Sequence, residues 1–164
     1  MSPKVRIVNT APLIFLAKLD RLELLRQGVD LVYVPTVVLD ELRAVPDEAT
    51  EKVQLLIGEW LVEKSCTQPG FITLAEQSVD AGEAQVVALA LELNTRDVVL
   101  DDLDARRFAR GSGLEPIGTL GLLLAAKRNG LIDSIVPEIE ALRNAGFRLS
   151  ESLTRVILAE AGEG

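Results

Sequence analysis

A chain of 164 residues with 48% hydrophobic side chains, 4% aromatic residues and a net charge of −8 is the size of one ordinary domain with an aliphatic core. A disordered chain is excluded. The absence of histidine excludes Ser-His-Asp and Cys-His catalysis and every imidazole zinc site, leaving carboxylates and a hard metal ion as tools.

The elements follow in chain order. Val5–Val8 reads as a strand, and "VNTAPLI" turns it into a helix over 12–18 with Asn9 and Thr10 at the junction. A helical segment over 21–27 leads to a strand at Leu31–Val34 and a helix over 36–44. Another helix is expected over 48–58, a weaker strand over 60–64 and a long apolar helix over 82–93. A strand over 97–100, a helix over 103–110 and a strand over 114–117 come next, then helices over 119–129, 134–144 and 151–161. Short apolar runs without alternation, separated by helical segments, specify a mostly parallel sheet covered by helices. One α/β domain is expected, a three-layer α/β/α sandwich with a helical extension at about 134–164. The lone Cys66 forms no intrachain disulfide, and no apolar run approaches the ~20 residues of a membrane span. The N-terminus carries no signal pattern, so a cytoplasmic, soluble protein is expected.

Four polar positions stand out. In "PTVVLDELRAV" the helical period places Glu41 between Val37 and Val45 on an apolar arc. A glutamate there either reaches solvent at the stripe's edge, pairs with an arginine or binds a cation. In "DAGEAQVVALALEL", Asp80 and Glu83 have the spacing of a capping box, and the partial positive charge of the helix N-terminus is expected to keep Glu83 ionised and available to a metal as well. In "VVLDDLDARRFAR", Asp101, Asp102 and Asp104 follow a strand, a surplus of carboxylates over the one a helix cap needs. If the first and fourth strands are neighbours, Asn9 and this Asp cluster face one crevice at the switch point of the sheet.

The stretches "VNTAPLIFLAKL", "VPTVVLDEL", "DAGEAQVVALALEL", "VVLDDLDARRFAR", "GTLGLLLAAKRNGLI" and "LRNAGFRLS" together resemble a prokaryotic branch of the PIN-domain family, over about residues 4–161. The resemblance implies the α/β/α sandwich and a Mg²⁺- or Mn²⁺-dependent ribonuclease of the kind that includes VapC-like toxins held by an antitoxin-like protein, usually as a homodimer. By motif it places the acidic site at Asn9, Glu41, Glu83 and Asp102, with Asp101 and Asp104 as auxiliary ligands and Thr10 and Thr119 lining it. It also implies products with a 5′-phosphate and a 3′-hydroxyl. Arg106, Arg107 and Arg110 are candidates for the RNA backbone, or else a solvated helix face. The departure from the family is Asn9, where most active members carry Asp. An amide oxygen is a weaker ligand for a hard cation, so a PIN-like RNA-binding or protein-interaction module without chemistry is the alternative. A phosphoacceptor receiver domain fits poorly, because it needs acids after the first strand.

Overall fold

Five short apolar runs form the frame. In the computed structural model, which describes residues 2–164, β1 (Val5–Val8), β2 (Leu31–Val34), β3 (Leu61–Glu63), β4 (Asp97–Val99) and β5 (Glu115–Ile117) form a parallel sheet. Their order is β3-β2-β1-β4-β5. Ile7 lies opposite both Tyr33 and Val98, and Val8 opposite Val99. Helices α1 (Thr10–Lys18), α2 (Thr36–Arg43), α3 (Glu48–Leu56), α4 (Pro69–Glu76), α5 (Ala81–Leu93), α6 (Leu103–Gly111), α7 (Thr119–Arg128), α8 (Val136–Asn144) and α9 (Glu151–Glu160) complete the described residues. The result is the three-layer α/β/α sandwich.

Aliphatic composition decides where the core lies. Ile7, Val8, Val98 and Val99 have no exposed surface, and Val86, Val87, Leu89 and Ala90 of α5 pack in the same cluster. Each such burial is worth roughly 1.5–3 kcal/mol, so the central strands and α5 are the rigid part of the molecule. A second cluster joins Leu123 and Ala126 of α7 to Ile139 and Leu142 of α8 and Ile157 of α9. Phe15 and Phe147 pack against that cluster, ring edge to ring face at 5.0 Å. The C-terminal helices are thereby tied to α1 and α7.

Winding reverses between β1 and β4. The chain moves outward through β2 and β3, then crosses back to β4 and β5, so the loops leaving β1 and β4 diverge and open a crevice. At the opposite end of these strands, the Arg6 guanidinium donates to both Asp97 oxygens, at 2.8 and 3.0 Å, and to the Leu25 carbonyl. Buried charge here is fully paired.

Three local readings change. The segment expected as a helix over 21–27 is a 3-10 helix, Leu22–Arg26. Helix α4 adds to the expected elements: Pro69 starts it by supplying a preset φ where the N–H is not needed. Glu41 does not lie in a buried stripe. The buried face of α2 is Val38, Leu39 and Leu42, whereas Glu41 is exposed and Val45 is 63% exposed. A helix of eight residues presents one narrow face to the core; Val37 lies at its edge, packed against the core, and Glu41 and Val45 fall outside it. Among the described residues, no helix is long and apolar enough to cross a membrane.

Candidate functional site

Asn9 follows β1 and begins α1. Its backbone N–H donates to the Val99 carbonyl at 3.1 Å, so it is held to the end of β4. Its position is that of an N-cap, but its side chain makes no capping hydrogen bond. The Oδ1 atom is buried with no hydrogen-bond partner among the described residues. A buried acceptor without a donor costs about 1–3 kcal/mol. Capping therefore does not account for the amide, whose buried oxygen is open to a cation or another donor.

Glu41 arrives from α2 on the other side of α1. Its Oε2 accepts from the Thr10 hydroxyl at 2.6 Å. Asn9 and Glu41 meet over Gly82, in the first turn of α5: a Cβ on Gly82 would stand 3.0 Å from Asn9 Oδ1 and 3.0 Å from Glu41 Oε1. Glycine keeps that small volume open between two oxygens from two elements.

Glu83 follows directly. It is 8% exposed and locked in a capping box, receiving the Asp80 N–H at 3.1 Å while the Asp80 carboxylate receives its own N–H at 2.9 Å. Contrary to the expectation from the sequence, the helix N-terminus does not keep Glu83 fully ionised: burial pushes its pKa up to about 7, the Asp80 N–H opposes that, and the negative charges of Asp80 and Asp102 add to it. Glu83 and Asp102 therefore feel one another across the crevice. Asp102 caps α6, accepting the Ala105 N–H at 2.9 Å, and remains exposed.

The run of aspartates divides by role. Asp101 is bound to the start of α7: Thr119 donates its backbone N–H and its hydroxyl to the two carboxylate oxygens, both at 2.7 Å. Thr119 is wholly buried, and the pair ties the end of β4 to the start of α7. Burial raises the Asp101 pKa, while the Thr119 donors and the Arg106 charge pull it down. Asp104 is on the surface, paired with Arg107 at 3.3 Å. Arg106 donates to the Leu100 and Asp101 carbonyls. Of the three arginines on α6, Arg110 alone is uncommitted.

Oxygen donors from the β1–α1 junction, α2, α5 and the start of α6 thus fall in two pairs: Asn9 with Glu41 beside Gly82, and Glu83 with Asp102, whose charge acts on it. Among the described residues, no three acidic side chains are drawn together tightly enough to form an ion site by themselves. The donor chemistry nevertheless fits Mg²⁺ or Mn²⁺, which take hard oxygen ligands from a few carboxylates and complete their shell with water. The unpartnered Asn9 oxygen and the glycine-lined gap beside it are the structural observations that favour such an ion.

Comparison with protein families matches residues 5–163 to a PIN domain. Comparison with curated proteins finds no match.

Proposed function

The chain belongs to the PIN-domain family, a nuclease-type fold, and on that premise we propose that it is a metal-dependent ribonuclease. The single observation that carries the reading is the buried, unpartnered Asn9 Oδ1, which points at the same gap as Glu41. Glu41, Glu83 and Asp102 would hold a Mg²⁺ or Mn²⁺ ion with the Asn9 amide. When bound, such an ion supplies Lewis acidity toward a phosphate and lowers the pKa of an attacking water.

The chain's own residues do the positioning. Thr10 fixes the Glu41 carboxylate through its hydroxyl, the Asp80 N–H fixes Glu83, and the Ala105 N–H fixes Asp102. The N-termini of α5 and α6 border the crevice, and their partial positive charge favours both the carboxylates and an incoming phosphate. Without an ion the Glu83 pKa stands at about 7, and a bound cation would hold the carboxylate in its charged form.

Incubation with single-stranded and structured RNA in Mg²⁺ or Mn²⁺ tests the proposal. Cleavage is expected with 5′-phosphate products, abolished by EDTA, by Glu83→Gln and by Asp102→Asn. Cleavage that survives both substitutions overturns the site. If the activity serves as a toxin checked by a small partner protein, induced expression arrests growth and Glu83→Gln relieves the arrest. A second reading, an RNA-binding or protein-interaction module, draws on the neutral Asn9 and the separation of the two acidic halves; RNA binding without cleavage of any substrate favours it.

A further inference from the structure

Beside the acidic crevice lies a second concavity that the ion site does not use. A cleft of about 640 Å³ runs between α6, the β5–α7 turn and α9. This is within the size range of small-ligand sites, roughly 300–1,000 Å³. Asp101 and Gly118 form its near end, one residue from Asp102. Its floor is apolar, with Leu120, Phe147, Leu153 and Ile157, and its rim carries Arg106, Arg110 and Arg148.

The rim charges distinguish this cleft from an ordinary apolar gap. In a chain of net charge −8, Arg6, Arg21, Arg43, Arg96, Arg107 and Arg128 each pair with a carboxylate. Among the described residues, Arg26, Arg106, Arg110, Arg143, Arg148 and Arg155 have no carboxylate within ion-pair distance; Arg26 lies over Trp60, Arg106 and Arg143 donate elsewhere, and of the remaining three only Arg110 and Arg148 share a cleft. Two free guanidinium groups facing one apolar floor complement a ligand that is flat, apolar on its faces and anionic at its edge.

An unpaired nucleotide has that chemistry. Bases bury their faces on apolar or aromatic side chains and under guanidinium planes, and their phosphates take arginine without regard to sequence. An acidic crevice repels a polyanion, so a strand entering it needs cations close by. Arg110 and Arg148 are placed to supply them.

We propose that this cleft is a nucleotide subsite of the RNA strand: it seats one unpaired base flanking the scissile phosphate, with Arg110 and Arg148 on the adjoining phosphates. The inference rests on the ribonuclease reading for the strand's course toward Asp102, but its binding can be measured apart from cleavage. Arg148 comes from the segment after α8 and was not singled out in the sequence, where Arg106, Arg107 and Arg110 were.

The test is fluorescence anisotropy of a labelled six-nucleotide oligoadenylate RNA in EDTA, where no cleavage occurs. Arg110→Ala with Arg148→Ala is expected to weaken binding about tenfold at moderate salt and to lower the slope of log K against log salt by about 1.4, ~0.7 for each lost phosphate contact on a single strand. Leu153→Glu, at an exposed position on the floor, is expected to weaken it comparably. An oligomer of the same length with abasic positions should bind the wild-type chain more weakly than oligoadenylate. Glu83→Gln is expected to bind oligoadenylate at least as tightly as the wild-type chain while losing cleavage, which separates the two readings: lost cleavage reports on the crevice, lost affinity on the cleft. The proposal is overturned if the wild-type chain does not bind the oligomer, or if the arginine and Leu153 substitutions leave its affinity unchanged. It is also overturned if light scattering shows a dimer that Leu153→Glu dissociates, because a second copy of the chain then fills the cleft.

Discussion

At the start of α5, Glu83 is buried with a single backbone donor and two acidic neighbours, and its pKa stands at about 7. Beyond α9, Glu163 receives the Ser134 hydroxyl, the Ile135 N–H at 2.8 Å and the Lys127 ammonium at 3.2 Å, and its pKa stands at about 2. The two residues are chemically identical, and their surroundings move them in opposite directions. Around Glu163 the chain has placed more donors than the carboxylate needs, which is how a carboxylate fastens one element to another. Around Glu83 it has placed acceptors, with the bare Asn9 oxygen nearby, an arrangement that is stable only when a cation or a proton joins it.

The largest effect should come from removing charge at the first place while keeping its caps. Glu83→Gln preserves the capping box and Asp102→Asn preserves the α6 cap. Both should lower RNA cleavage by at least about a hundredfold, since each removes a charged ligand, and neither should lower the melting temperature. Gly82→Ala is a subtler probe. The added methyl group enters the 3.0 Å gap between Asn9 Oδ1 and Glu41 Oε1, so Mn²⁺ affinity should fall about tenfold. Alanine's better helix propensity, about 0.5–1 kcal/mol, should hold stability level or raise it. Equal Mn²⁺ affinity in this variant would remove Asn9 and Glu41 from the site.

Glu163→Ala should do the reverse, lowering the melting temperature by a few degrees and leaving cleavage intact. The pH dependence of unfolding in EDTA separates the two residues further. Glu163, depressed in the folded chain, contributes stability that is present above its ordinary value of 4.5 and lost as pH falls toward about 2. Glu83, raised in the folded chain, contributes stability that is present below 4.5 and lost as pH rises through about 7. Chemical denaturation across this range should show both slopes, with Glu163→Ala flattening the acid one and Glu83→Gln the neutral one.

The sheet was legible because central parallel strands announce themselves: "VRIV", "LVYV" and "DVV" are apolar without alternation. The pairing of β1 with β4 was legible only as a condition for bringing Asn9 to the Asp run, and the strand order meets it. Finer sorting was not legible. "DDLD" offers three carboxylates whose side chains radiate from one turn, and only the packing of α7 shows that Thr119 takes Asp101 while Asp104 goes to the surface. Glu41 was read into a buried arc because the period is the same whether a helix buries a wide face or a narrow one. Arg148 lies far along the chain from α6, and no spacing in the sequence brings it beside Arg110. The pull on Asn9 was visible only as a question, since an amide after a strand is a cap or a ligand until its oxygen is seen to lack a donor.

The measurement that tests the central claim most directly is a calorimetric titration of Mn²⁺ into the wild-type chain, Glu83→Gln and Asn9→Asp. One crevice built from Asn9, Glu41, Glu83 and Asp102 predicts the tightest binding in Asn9→Asp, intermediate binding in the wild type and binding too weak to detect in Glu83→Gln. Equal affinity in all three, or no binding in any, would contradict it.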